Sequence, residues 1–208
     1  MKILVFGATG PSGRQLVQQA LGQGHEITAF ARNPAALSAD RRVRIVAGDT
    51  TRDAEMITAA MRGQDAVIST LGRRNTLRSD GLIARSMHLI VPAMEQAGVR
   101  RLVAMSAFGV GESRRDAPLI PRIMYRVLLS GIFADKKAGE DEIRRSSLDW
   151  TIVYPVLLTD GPLTGSYRVG EHVELRGMPK ISRADVAHFM LAEMKNRAFL
   201  RKVAVISY

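Results

Sequence analysis

Cysteine is absent from the 208 residues, which excludes disulfides, thiolate metal centres and thiol catalysis. Histidine is scarce: His25, His88, His172 and His188 lie far apart, without the spacing of a ligand cluster, and no metal is expected. Long apolar runs are missing too. No stretch approaches the roughly 18–20 residues that span a bilayer, so no membrane association is expected. Only Ile3 to Gly7 precede the first glycine turn, too short for the apolar core of a secretory signal at about 7–15 residues, and the expected location is cytoplasmic. Acidic side chains are outnumbered, 20 against 30 basic ones, for a formal net charge of +10, with 24 arginines among the bases. Such a balance suits anionic ligands or solubility. The pairs Arg41-Arg42, Arg73-Arg74, Arg100-Arg101, Arg114-Arg115 and Arg144-Arg145 are scattered, with no basic block interleaved with aromatics. Most of the charge therefore reads as solvated surface, and nucleic acid is not the expected partner.

Short apolar runs alternate with amphipathic stretches. Strands are expected at Lys2–Phe6, Glu26–Ala31, Val43–Ala47, Ala66–Thr70, Arg101–Ser106 and Trp150–Tyr154. Helices are expected at Ser12–Leu21, Asp53–Met61, Leu82–Ala97 and Lys136–Ser146. Repeated strand–helix–strand succession implies parallel pairing through right-handed crossovers. The fold class that follows is α/β, a Rossmann-type doubly wound and mostly parallel sheet in a single domain over 1–208. Beyond Pro155 the rhythm changes. Turn signals at Thr159-Asp160-Gly161-Pro162 and Thr164-Gly165 lead into short strand-like pieces at Tyr167–Val169 and His172–Leu175. A last helix starts at Ser182, with Asp185 placed as in a capping box, and a strand at Val203–Ile206 closes the chain. Residues 155–208 form the expected acceptor side of the domain.

Gly7-Ala-Thr9-Gly10-Pro11-Ser12-Gly13 follows a strand and opens a helix, the context in which such a turn holds a dinucleotide pyrophosphate. Small residues let the backbone come close, and the helix end offers N–H donors and the positive end of its dipole. Pro11 sits where the first helical turn tolerates proline. After the second strand, an acid would bind the ribose 2′-hydroxyl of NAD, whereas Arg32 stands there and its planar fork suits a 2′-phosphate. The expected cofactor is therefore NADP(H), with Arg14 assisting; an exposed loop arginine is the other reading of Arg32. Asp49 suits either the adenine amino group or a cap on the following helix. Leu71, Gly72 and Arg73 after the fourth strand, and Ser106 after the fifth, fall at the strand ends that line the crevice of such sheets.

These segments resemble the atypical short-chain dehydrogenase/reductase family with NAD(P)H-binding domains, and within it the biliverdin reductase B and NADPH-dependent flavin reductase branch. The resemblance rests on the glycine turn, Gln64–Ile68 running into Leu71–Asn75, Ser106-Ala-Phe108, Ser146-Ser-Leu148, Pro162-Leu-Thr-Gly165-Ser-Tyr167, and Ile181-Ser182 leading to His188-Phe-Met-Leu191. It implies hydride transfer from NADPH to a dissociable flavin, or to a linear tetrapyrrole, with Ser106 beside the nicotinamide as the catalytic side chain. The branch's substrate-pocket histidine falls at Leu157, so that group is missing. The Tyr-x-x-x-Lys pair of most short-chain dehydrogenases is missing too: Leu129, Leu158 and Glu171 follow Tyr125, Tyr154 and Tyr167 at the fourth place. Lys136 matches the family's remaining lysine position, although an exposed ion pair with Glu140 explains it equally well.

The leading expectation is a reductase of flavins or similar planar acceptors, acting as a monomer or weak homodimer. The alternative is a catalytically silent NADP(H)-sensing regulator. A nucleotide-sugar isomerase is a third reading, weakened by the short C-terminal region. Loops at Asn75–Gly81 and Val110–Pro118 are expected to border the acceptor pocket.

Overall fold

The structure, a computed structural model, describes residues 1–37, 42–72, 80–111, 130–175 and 177–208. The strands in chain order are β1 (Lys2–Phe6), β2 (Glu26–Ala31), β3 (Val43–Ala47), β4 (Ala66–Ser69), β5 (Arg101–Met105), β6 (Asp149–Pro155), β7 (Leu157–Thr159), β8 (Arg168–Gly170), β9 (Lys180–Ser182) and β10 (Lys202–Ser207). The helices are α1 (Pro11–Gly22), α2 (Ala54–Met61), α3 (Leu82–Ala97), α4 (Ser130–Arg145) and α5 (Arg183–Asn196).

Among the described residues, eight strands form one sheet in the order β3-β2-β1-β4-β5-β6-β10-β8, parallel except for β8, which runs antiparallel to β10. The doubly wound α/β class is therefore the observed one. Chain order reverses between β1 and β4, the switch point at which such sheets bind ligands.

Alternation along each strand feeds two cores. Leu4, Phe6, Val67, Leu102, Ile152 and Val205 face one side, where α2, α3 and α4 pack; Ile3, Val5, Ile68, Val103, Val153 and Ile206 face the other, against α1 and α5. Period-two side-chain direction is what sorts one apolar run into two layers. Because both faces are covered, the central strands read as continuous apolar runs, not as alternating ones. Helix α3 meets α4 closely at Gly139, where a Cβ would lie 2.7 Å from Ile83 Cγ2. The Asp135 carboxylate of α4 accepts the Ile83 and Ala84 amides at 3.1 and 2.9 Å, capping α3 from outside.

Four expectations change. Helix α4 already includes Ser130, six residues before Lys136. His172–Leu175 is not a strand: the chain folds back after Gly170, whose Cβ position lies 2.9 Å from the His172 carbonyl, so the pairing with β10 ends. Strands β7 and β9 pair in a separate two-stranded parallel sheet that sequence pattern did not disclose, being only three residues each. Ser182 caps α5 by accepting the Asp185 amide at 2.9 Å, but the Asp185 carboxylate does not return to the Ser182 amide, which donates to Tyr208 instead.

Candidate functional site

The glycine turn joins β1 to α1 at the switch point. Gly7 has φ +83°, and a Cβ there would lie 2.8 Å from the Thr70 backbone at the end of β4. Thr70 fastens that approach from its own side, its hydroxyl donating to the Phe6 and Gly7 carbonyls at 3.2 and 3.1 Å. At Gly13 a Cβ would fall 2.2 Å from the Gly7 carbonyl, so the turn and the helix close only with glycine. Gly10 differs. A Cβ there would meet only the Gly7 carbonyl, at 3.4 Å, so internal packing leaves room for more than glycine. No side chain caps this helix end, and Pro11 occupies its first turn, so Ser12 and Gly13 present the first amides of α1. A bare helix start behind an open backbone position fits a pyrophosphate. The Arg14 Nε donates to the Thr9 carbonyl at 3.1 Å and holds the turn in shape.

Beyond β2, Arg32 is exposed, and Asn33 caps a short 3-10 turn at Pro34–Ala36 by accepting the Ala35 amide. A cleft of about 260 Å³ lies between α1 and β3, lined by Ala8, Arg14, Val17, Leu37 and Arg42 among others. Arg42 was not singled out from the sequence, where it read as half of a solvated pair. Asp49 turns inward on its own loop, Oδ1 accepting the Thr51 amide at 2.9 Å and the Thr51 hydroxyl at 2.8 Å. These bonds hold its carboxyl below the usual range, against the pull of burial, with Arg52 and Arg32 adding to the effect. The geometry is thus a loop cap that leaves Oδ2 beside Arg52 at 3.7 Å, while Asp53 stands at the helix start itself. Leu71 is buried and Gly72 exposed after β4. Arg73 lies outside the described residues, as do 75–79 and 112–118 of the two expected pocket loops.

Ser106 follows β5 and is 8% exposed. Its hydroxyl donates to Glu140 Oε1 at 2.6 Å, and the Tyr154 hydroxyl of β6 donates to Glu140 Oε2 at 2.5 Å. Leu71, Ser106, Lys136 and Glu140 share the wall of one small cavity with Ile83 and Met87 of α3. Burial pushes the Glu140 carboxyl up, partly offset by the two hydroxyl donors and by Arg144 and Lys136. Burial also lowers the Lys136 ammonium, with Glu140 and Asp135 pulling it back. An exposed Lys136–Glu140 pair is therefore not what forms: the exposed pair is Lys137–Asp141, one position on, at 2.5 Å. Tyr154 is pushed well above its ordinary range, first by burial and then by Glu140.

Sequence reasoning gave Glu140 only a surface ion pair and gave Tyr154 no role. A signal was present: Lys136, Gly139, Glu140 and Ile143 follow the 3-4 spacing of an inward stripe, and two of the four are charged. His188 is packed, its Nδ1 at 2.8 Å from the Tyr167 hydroxyl. Among the described residues no three His, Asp or Glu side chains gather as metal ligands. No helix among the described residues is long and apolar enough to cross a membrane.

The family described as NAD(P)H-binding matches residues 7–197. The uncharacterized protein YwnB of Bacillus subtilis is 27% identical over 208 residues, covering 94% of this chain and 93% of its own. The uncharacterized sugar epimerase YhfK of the same organism is 28% identical over 211 residues, covering 96% of this chain and 92% of its own. Among solved structures, the anaerobilin reductase ChuY of Escherichia coli O157:H7 superposes with a TM-score of 0.82 at 24% identity, covering 99% of this chain and 96% of that one, a likeness of fold.

Proposed function

This chain belongs to the NAD(P)H-binding family, and from that premise we propose that it is an NADPH-dependent reductase passing hydride to a flavin or a similar planar acceptor such as a linear tetrapyrrole. The observation that carries the reading is the continuity of the strand ends. Gly7 abuts Thr70 and Leu71, and Leu71 packs with Ser106 around one small void between the ends of β4 and β5, so the glycine turn and a buried hydroxyl stand at neighbouring strand ends. Bound NADPH supplies the hydride; the protein supplies orientation and a dry surface. Gly7, Gly10 and Gly13, with Thr9, Pro11 and Ser12 between them, give the pyrophosphate its backbone. Arg32, with Arg14 and Arg42 at the neighbouring cleft, offers guanidinium groups to the 2′-phosphate. Leu71 and Gly72 border the nicotinamide half, and Ser106 orients nicotinamide and acceptor.

Tyr154 supports a reductase of planar acceptors over an alcohol dehydrogenase or sugar epimerase. Carbinol chemistry needs a tyrosine whose proton is easily lost, commonly beside a lysine. Here the tyrosine near Ser106 is pushed the opposite way and its hydroxyl is committed to Glu140.

The test is loss of nicotinamide absorbance when protein and NADPH meet FMN, riboflavin or biliverdin. Turnover above the free-solution background is the expected outcome. Tight NADPH binding with no turnover across the panel overturns the reductase and favours a silent NADP(H) sensor.

A further inference from the structure

We propose that Glu140 is a proton reservoir for Ser106: its carboxyl passes a proton through the Ser106 hydroxyl to the acceptor as the hydride arrives. The inference rests on the reductase reading above and adds the source of the proton that reduction consumes.

The geometry is specific. Glu140 is 3% exposed, and both carboxyl oxygens are engaged by hydroxyls, Ser106 on Oε1 at 2.6 Å and Tyr154 on Oε2 at 2.5 Å. Withdrawing a carboxylate from water is costly unless a close cation compensates it. The nearest ion pair is loose: Arg144 Nη2 stands 3.7 Å from Oε2, on a side chain that is 40% exposed. Among the described residues, the elements packed around the carboxyl supply few other charges. Its own helix α4 brings Lys136 and Arg144, with Asp135 beyond; β5 leads to Ser106, β6 brings Tyr154, and β4 ends in Ser69 and Leu71. From α3 come only Ile83 and Met87. Such surroundings keep a proton on the carboxyl to higher pH than water does, in line with the upward displacement of Glu140.

The two hydroxyls divide the work. Tyr154 holds its proton firmly and anchors Oε2, so Oε1 is fixed toward Ser106. When Oε1 carries the proton it donates to Ser106 Oγ, and the Ser106 O–H turns toward the crevice. As the acceptor gains a hydride at one atom, the Ser106 O–H bond breaks and the proton bonds to a heteroatom of the acceptor. The Glu140 O–H bond breaks in turn and the Ser106 O–H bond is restored. The electron pair left on Glu140 makes it a carboxylate, which takes a proton from solvent before the next cycle. Each turnover consumes one hydride and one proton. Glu140 acts through Ser106 and Tyr154 through Glu140, so both are positioning residues in this scheme.

One readout needs no turnover. In a carbon-13 NMR titration of glutamate-labelled protein with NADP⁺, one carboxyl resonance titrates above the ordinary glutamate range, disappears in Glu140→Gln and moves in Ser106→Ala. The second readout is kinetic, with NADPH and the acceptor that turns over. Wild-type kcat falls as pH rises through the Glu140 titration. Glu140→Gln lowers kcat by about 100-fold, the lower end of general-acid contributions, leaves the Kd for NADPH unchanged and abolishes that alkaline fall. Glu140→Asp restores part of the rate. Glutamates that all titrate in the ordinary range, or a Glu140→Gln enzyme with wild-type kcat and pH profile, overturn the relay alone. A wild type without turnover on any acceptor overturns the reductase reading and the relay with it. Where Glu140→Gln does not fold, Ser106→Ala decides: it keeps the buried carboxyl, and wild-type kcat in that variant overturns the proposal.

Discussion

A Cβ at Gly13 would sit 2.2 Å from the Gly7 carbonyl, whereas one at Gly10 would meet nothing closer than 3.4 Å. The first glycine is required by the fold itself; the second is not, and the proposed dinucleotide supplies its reason. Both were visible as letters, and only coordinates separate their reasons. Arg32 is a similar case. Its place after β2 was legible, but the structure adds a cleft bearing Arg14 and Arg42, so two arrangements of guanidinium groups are candidates for the proposed 2′-phosphate. Arg32→Glu is expected to raise the Kd for NADPH about 10- to 100-fold, the worth of one charge-assisted hydrogen bond or two, and to leave NADH binding nearly unchanged. Calorimetric titration with both nucleotides checks this. An unchanged preference moves the 2′-phosphate to the Arg14–Arg42 cleft.

Between elements, the clearest tie is Asp185 in the first turn of α5. Its fully buried carboxylate accepts from the Thr164 amide and hydroxyl, the Gly165 amide, the Ser182 hydroxyl and the Tyr208 hydroxyl. One side chain thereby fastens the Pro162–Gly165 turn, the start of α5 and the chain's last residue. Asp185→Ala strands these donors and is expected to cost about 2–3 kcal/mol in urea unfolding at neutral pH. Burial pushes the Asp185 carboxyl up, but the bonds from Tyr208, Gly165 and Thr164 outweigh it and hold the group below its ordinary range. A depressed acid stabilises the fold above its unfolded pKa, and that contribution is lost as pH falls through the lower, folded value. The gap between wild type and Asp185→Ala should therefore narrow in acid. The sequence suggested a capping box at this helix. It could not disclose that the acid serves a turn some twenty residues earlier, because that turn reaches α5 only through the tertiary fold.

Across the whole molecule, Arg101 is an exception to the reading of most of the basic charge as solvated surface. Its side chain is 2% exposed and Glu193's is 1% exposed, with Nη2 and Oε1 3.1 Å apart. Arg101 also donates to the Asp149 carbonyl and the Thr151 hydroxyl at 2.9 Å each, and Glu193 accepts the Ala198 and Phe199 amides at 3.1 and 2.9 Å. The pair knits the N-terminal ends of β5 and β6 to the end of α5, at the end of the strands opposite Ser106. Arg101→Met leaves a buried carboxylate uncompensated and is expected to cost about 3–5 kcal/mol, while adding Glu193→Leu recovers part of the loss. Guanidinium unfolding of the single and double variants measures both.

The sequence by itself determined the strand–helix alternation, the glycine turn and the family, because each is written in local pattern: apolar runs, glycines at fixed spacing, a proline where a helix starts. The class of sheet followed, since parallel crossovers leave few ways to arrange such elements. Tertiary structure alone decided which charged residues are inside. Glu140 and Arg101 look like their exposed neighbours Asp141 and Arg100, and a shift of one position along a helix or strand carries a side chain from water into the protein. At the centre of the site, that single step of register turns a glutamate readable as half of a surface ion pair into a buried carboxyl bonded to Ser106.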